Sequence, residues 1–142
     1  MNILVINGPN LNLLGLREPD IYGRRTYDDL LDLIRAEAVA LGVVVKFVQS
    51  NHEGALVDAI QAAYGTADGI IINPGAYTHT SVALLDAVKA VGIPTIEVHI
   101  SDPDTREEFR NVSYIRAACV NSIKGHGLEG YLEAMRLLAG KN

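Results

Sequence analysis

Glu97 and His99 sit two residues apart in the stretch T-I-E-V-H-I-S. On a strand, alternate residues share a face. Ile96, Val98 and Ile100 then point one way, and Glu97, His99 and Ser101 the other. A carboxylate beside an imidazole can orient the ring and support its protonated form, the pairing used in acid–base catalysis. A polar face on a covered strand is costly unless its groups are paired. The same two residues therefore also read as a satisfied structural hydrogen-bond pair, and strand period alone leaves both readings open.

A second polar cluster lies in I-I-N-P-G-A-Y-T-H-T-S. Asn73 ends an apolar run and Thr78–Ser81 can cap the helix that follows. Asn73 and His79 read equally as turn chemistry or as ligand-binding groups. A third cluster is S-D-P-D-T-R-E-E-F-R, with Arg106 and Arg110 one helical turn apart. Arg106 reads as part of a solvated charged turn. Five of the eight arginines (Arg17, Arg24, Arg25, Arg106 and Arg110) fall in two loops. Together they form a candidate positive field for a carboxylate-bearing substrate.

That local field stands against a net charge of −5 over 142 residues. An acidic chain lacks the basic footprint needed for non-specific binding to nucleic acid or anionic lipid. Several familiar sites are also missing. The run N-G-P-N-L-N-L-L-G is not the dinucleotide fingerprint G-x-G-x-x-G. There is no P-loop and no G-x-S-x-G nucleophile elbow. His52, His79, His99 and His126 have no metal-type spacing. A single cysteine, Cys119, rules out an intramolecular disulfide and reads as a small buried hydrophobe. No run is long and apolar enough to span a membrane, and the start lacks a basic leader, which favours the cytoplasm.

The elements that must position these groups alternate along the chain. Strands are expected at Ile3–Ile6, Val43–Val48, Gly69–Ile72, Pro94–Ile100 and Ile115–Ile123. Helices are expected from Thr26 to Gly42, at Glu53–Tyr64, at Ser81–Val91 and at Leu128–Leu138. The helix V-A-L-L-D-A-V-K-A-V is apolar nearly all round except for Asp86. Such a helix is buried on more than one side, and in so short a chain this points to a subunit contact. Alternating β and α units give an α/β fold: a flavodoxin-like three-layer sandwich with a five-stranded parallel sheet, order 2-1-3-4-5. The ligand then sits at the carboxyl ends of the strands, beside the loops after strands one, three and four. The loop after strand one, Asn7 to Arg25, spans 19 residues. Its length and its glycines suit a mobile lid over residues 16–25 of a single catalytic domain, 1–142.

The motifs together resemble type II 3-dehydroquinate dehydratase. The matching stretches are N-G-P-N-L-N-L-L-G-L-R-E-P-x-x-Y-G, S-N-H-E-G, I-I-N-P-G-A-Y-T-H-T-S-V-A-L-x-D-A, I-E-V-H-I-S, R-E-E-F-R and G-x-G-x-x-G-Y, in order across nearly the whole chain. The resemblance implies a lyase that converts 3-dehydroquinate to 3-dehydroshikimate by anti-elimination of water through an enolate. It serves the shikimate or quinate pathway, needs no cofactor or metal, and assembles as a dodecamer of four trimers. Carried over by residue, Tyr22 is the general base and Arg17 the neighbour that favours its anionic form. His99 is the general acid, Glu97 orients it, and Asn10 stabilises the enolate. Asn73, Ile100 and Ser101 hold the substrate carboxylate. His79, Arg110 and Asp86 from a neighbouring subunit hold the ring hydroxyls. An unperturbed tyrosine, with a pKa of ~10, is a poor base near neutrality. A guanidinium close by is what makes it usable.

The chain departs from the family pattern at Asp102 (usually Asn), Val112 (usually His) and Asn121 (usually Gly). Strand alternation turns Asp102 away from the carboxylate site. The competing reading is a non-catalytic relative on the same fold that binds a polyhydroxy acid.

Overall fold

The computed structural model describes residues 1–16 and 18–141. Five strands follow the expected alternation: β1 Asn2–Asn7, β2 Val44–Gln49, β3 Gly69–Asn73, β4 Thr95–His99 and β5 Asn121–Lys124. The helices are α1 Pro19–Tyr22, α2 Tyr27–Leu41, α3 Glu53–Ala62, α4 Val82–Val91 and α5 Glu129–Leu138. The strands form one parallel sheet in the order β2-β1-β3-β4-β5. No helix among the described residues is long and apolar enough to cross a membrane.

Two apolar layers cover the sheet. On one side Ile3, Val5, Ile96 and Val98 pack against Leu30 and Ile34 of α2 and Tyr131 and Met135 of α5. On the other, Ile6, Ile70 and Ile72 meet Leu56 and Ile60 of α3 and Leu84 and Val88 of α4. Helices α2 and α4 start and stop where their sequence says. Thr26 Oγ1 accepts from the Asp29 N–H and Asp29 Oδ2 accepts from the Thr26 N–H, a capping box. Ser81 caps α4 through the Leu84 N–H, and Gly42 and Gly92 end α2 and α4 with left-handed φ.

The chain passes from β1 to the edge strand β2, then crosses back to β3 on the other side of β1. That reversal opens a crevice between the carboxyl ends of β1 and β3. Gly8 is what lets the two ends close there. Its N–H donates to the Asn73 carbonyl at 2.8 Å, and a Cβ would lie 2.4 Å from the Pro74 carbonyl oxygen. No other residue fits without moving the β3 loop.

Two expectations are corrected. The strand predicted over Ile115–Ile123 is split. Ile115–Ala118 forms a 3-10 turn, and only Asn121–Lys124 joins the sheet. The turn docks Ile115 into the α3/α4 layer and brings Arg116 against Glu97. A straight strand could not satisfy both. The segment after β1 is also more ordered than a plain loop. A 3-10 turn at Leu11–Leu13 is anchored by buried Leu11 and Leu14, and the four-residue α1 starts at Pro19. Within this one chain α4 is buried through Leu84, Ala87 and Val88, whereas Val82, Ala83 and Asp86 are exposed, on the face a subunit contact would cover. Cys119 is half-buried, and burial pushes its thiol up to about 12. It is an inert packing group at neutral pH.

Candidate active site

A cavity of about 170 Å³ opens at the crevice. The β1 loop contributes Asn10, the β3 loop contributes Asn73 and His79, and β4 with its loop contributes His99, Ile100 and Ser101. Tyr22 of α1 and Arg110 complete the expected set, joined by Arg106. Glu97 lies directly behind His99. Asp86 faces outward on α4, away from this chain's own cavity. Arg17 lies outside the described residues. A separate apolar groove of about 400 Å³ runs between β1, β2 and α3, where Lys46 is its only charged lining residue. It lacks convergent polar groups.

Glu97 is fully buried and held from all sides. Its Oε2 meets His99 Nε2 at 2.7 Å and accepts from the Thr78 and Ser113 hydroxyls. Its Oε1 accepts from Arg116 Nε and Ser122 Oγ, both at 2.9 Å. Burial by itself would raise this carboxyl's pKa. The bonds from His99, Ser113 and Arg116 outweigh it and hold the group well below the usual carboxylate range. The structural reading of the pair is thus satisfied in full, and the catalytic reading stays available. His99 commits Nε2 to Glu97, so Nδ1 is the ring nitrogen left to meet a ligand.

The depressed Glu97 value has a consequence for stability. A carboxyl whose folded pKa lies below its unfolded one stabilises the fold fully above the unfolded value of about 4.3. That contribution is lost as pH falls toward the folded value. Thermal unfolding followed by circular dichroism is expected to show the melting temperature falling below about pH 4.5. Glu97→Gln is expected to unfold at lower temperature at pH 7 and to show a shallower acid decline. An unchanged acid slope in that variant would mean Glu97 is not the group responsible.

Tyr22 accepts a hydrogen bond of 2.6 Å from Arg106 Nη1. The Arg106 guanidinium carbon also lies 5.4 Å from the Tyr22 ring centroid. Arg106 Nη2 pairs with Glu18 Oε2 at 3.5 Å. With its side chain only 15% exposed, Arg106 is no solvated turn residue, contrary to the sequence expectation. A cationic donor aimed at a phenol oxygen stabilises negative charge there. The five-arginine field is corrected too. Arg106 and Arg110 line the cavity, but Arg25 is turned outward into a two-point pair with Glu129 at 2.8 and 3.0 Å, and Arg24 does not line the cavity. A carboxylate on α5 captured Arg25, and nothing local in the sequence marks that partner.

His79 Nδ1 meets the Val112 carbonyl at 2.7 Å. Burial, with some help from the Arg110 charge, lowers its pKa, so the ring is neutral at pH 7. Nδ1 then carries the proton, and Nε2 is an acceptor. This contact uses the backbone of residue 112, so valine there leaves it intact. Asp102 accepts from the Asp104 N–H as a turn cap and pairs with Lys124 at 3.8 Å, and it does not line the cavity. Asn121 caps its neighbour Ser122 at the start of β5.

Asn73 serves its turn and more. Its Oδ1 accepts from the Gly75 N–H, and its Nδ2 donates to the buried Tyr131 hydroxyl at 2.9 Å. Among the described residues, the N–H groups of Ile100 and Ser101 are not spent on other backbone carbonyls. Two open donors at a strand end, beside an amide, suit a carboxylate. No three His, Cys, Asp or Glu side chains gather in metal-binding geometry among the described residues.

Arg116 and Tyr131 were missed in the sequence, and Arg106 was read there as a turn residue and one of five cations, without its contact to Tyr22. Tyr131 had a usable signal, since a phenol on the buried stripe of a helix must find a polar partner. The two arginines had none beyond their charge.

A family model described as Dehydroquinase class II matches residues 1–139. The chain is 59% identical over 137 residues to a 3-dehydroquinate dehydratase of Corynebacterium glutamicum (strain R), covering 96% of this chain and 94% of that one. It is 53% identical over 142 residues to a 3-dehydroquinate dehydratase of Clostridium acetobutylicum, covering 100% and 97%. The crystal structure of a type II dehydroquinase from Butyrivibrio crossotus superposes with a TM-score of 0.96 at 51% identity, covering 97% of each chain. For a 3-dehydroquinate dehydratase-like protein from Bifidobacterium longum, the TM-score falls to 0.74 and the identity to 29%, covering 99% of this chain and 96% of that one.

Proposed function

The chain belongs to the class II dehydroquinase family, the 3-dehydroquinate dehydratases, and we propose that it eliminates water in the anti sense, through an enolate. The observation that carries this reading is the pairing of Arg106 with Tyr22 in the same cavity as the Glu97-held His99. One side of the cavity can hold a phenolate, and the other offers an imidazole whose proton is supported by a carboxylate.

The substrate is a ring ketone acid. The methylene beside the ketone is acidified by the carbonyl, and the next carbon bears both the leaving hydroxyl and the carboxylate. Tyr22, with Arg106 and Arg17 favouring its anion, takes the methylene proton. The C–H electrons move into an enolate, whose oxygen Asn10 stabilises through a held water. His99 then gives its proton to the leaving hydroxyl. The carbon–oxygen bond breaks, the carbon–carbon double bond forms, and the carbonyl is restored. The water released carries that proton. Asn73, Ser101 and the N–H groups of Ile100 and Ser101 hold the carboxylate. His79 Nε2 and Arg110 hold ring hydroxyls, with Asp86 supplied by a neighbouring subunit in a dodecamer of four trimers. The exposed position of Asp86 on α4 agrees with a role across a subunit boundary.

Residues 16–25 act as a lid that admits substrate and then excludes water. Gly23, with φ of 80° and open space around its α-carbon, can hinge, while the Arg25–Glu129 pair fixes the loop's far end. The reaction belongs to the shikimate or quinate pathway and is placed in the cytoplasm.

Purified protein given 3-dehydroquinate, with no added metal or nucleotide, is expected to raise the ultraviolet absorbance of a conjugated enone. Borohydride added with substrate is expected to leave activity intact, because no lysine among the described residues lines the cavity to form a Schiff base. Binding of the acid without turnover would instead make the chain a non-catalytic relative. Inactivation by borohydride would overturn the enolate route.

A further inference from the structure

Beneath the cavity floor, four side chains form one directional chain of hydrogen bonds. Asn73 Nδ2 donates to Tyr131 Oη at 2.9 Å, and Tyr131 Oη donates to Asn7 Oδ1 at 2.6 Å. Asn7 Nδ2 then donates to Tyr27 Oη at 3.3 Å. At the head of the chain, Asn73 Oδ1 accepts from the Gly75 N–H at 3.1 Å. Asn7, Asn73 and Tyr131 are all buried, with Tyr131 fully so. They come from β1, β3 and α5, and only Asn73 reaches the cavity.

The order of donors runs from the one member that can only donate, the Gly75 N–H, which holds Asn73 Oδ1 and leaves Nδ2 for Tyr131. A phenol has one proton, and here Asn7 Oδ1 takes it. Tyr131 must therefore accept from its other neighbour, and that neighbour must present an amide N–H. Asn73 can satisfy this in one orientation only, with Nδ2 toward Tyr131 and Oδ1 toward Gly75. One Nδ2 proton is used, and the second is left for the cavity. Burial pushes the Tyr131 phenol well above its ordinary pKa, so its proton stays in place.

We propose that Tyr131 is a positioning residue: by accepting from Asn73 Nδ2 while the Gly75 N–H holds Oδ1, it locks that amide with a donor, never a carbonyl, facing the substrate carboxylate. A carbonyl oxygen turned to the same place would repel a carboxylate. The buried network thus sets the charge preference of a site it does not touch. This inference rests on the carboxylate role given to Asn73 above.

The variants are Tyr131→Phe, Asn73→Ala and the double variant, assayed on 3-dehydroquinate. Tyr131→Phe keeps the ring that packs against the core and removes only the hydroxyl. It is expected to raise KM about tenfold with kcat within about threefold, the pattern of lost uniform binding. In the Asn73→Ala background, the same change is expected to raise KM no further, because the hydroxyl acts through that amide. An unchanged KM in Tyr131→Phe overturns the proposal, and so do two effects on KM that multiply. If Tyr131→Phe does not fold, Asn7→Ala serves. It removes the acceptor, frees the phenol proton to turn toward Asn73, and is expected to raise KM in the same direction. An unchanged KM there overturns the proposal equally. Binding of quinate, a carboxylate with the same ring hydroxyls, is measured by calorimetry on the same variants. A wild-type protein that binds quinate but does not turn over 3-dehydroquinate would sink the dehydratase reading alone. Equal quinate affinity in wild type and Tyr131→Phe would sink this one alone.

Discussion

Tyr22→Phe is expected to lower kcat by about 10²–10⁴-fold, the span of a lost general base. The dissociation constant for a carboxylate-bearing inhibitor is expected to change by less than about threefold, because the carboxylate is held elsewhere. The argument rests on what the substitution removes. The ring packs partly against the core, and phenylalanine keeps that contact. Arg106 loses its 2.6 Å acceptor but keeps Glu18, so no cation is stranded. The oxygen proposed to take the proton is what goes. A second measurement isolates the step. In deuterated water, the wild-type protein is expected to exchange the methylene proton of the substrate, followed by nuclear magnetic resonance, and Tyr22→Phe is not. Near-normal turnover in Tyr22→Phe would place the base elsewhere in the cavity.

His99→Asn carries the other large effect, an expected loss of about 10²–10⁴-fold in kcat from removing the proposed general acid. It differs from the first variant in which half of the reaction survives. Methylene exchange needs only base and enolate stabilisation, so it is expected to continue in His99→Asn while water loss stops. Loss of both together would mean that His99 takes part in abstraction, and the acid and base would have to be reassigned. The variant also leaves Glu97 without one of its partners. Thr78, Ser113, Ser122 and Arg116 still hold that carboxylate. A folded protein is therefore expected, and its melting temperature is the control for the kinetic result.

Much of this site could be read before any coordinates. Strand period put Glu97 and His99 on one face, and their 2.7 Å contact follows from that geometry. Helix caps at Thr26 and Ser81 were legible because capping is a contact over three residues. The failures share a different character. Arg106 looked solvated because its partner Tyr22 is 84 residues away. Arg25 looked like part of the site, but Glu129, 104 residues on, captures it. The fifth strand was overextended because Ile115 reads as β-branched strand, while the α3/α4 layer and Glu97 required a turn.

The sequence by itself determined the alternation of elements, the order of the sheet they could build, and the motifs that mark the family. These are periodic or contiguous signals, set by the 2-residue repeat of strands and the 3.6-residue repeat of helices. Only the tertiary structure decided which arginine reaches Tyr22, which arginines close on carboxylates elsewhere, and which way the Asn73 amide turns. Those choices depend on hydrogen bonds between chain segments far apart in sequence. Their donors and acceptors meet only once the helices have packed on the sheet. In Asn73 the two levels join. Its place at the end of β3 is local, but its Nδ2 is held by a phenol 58 residues away.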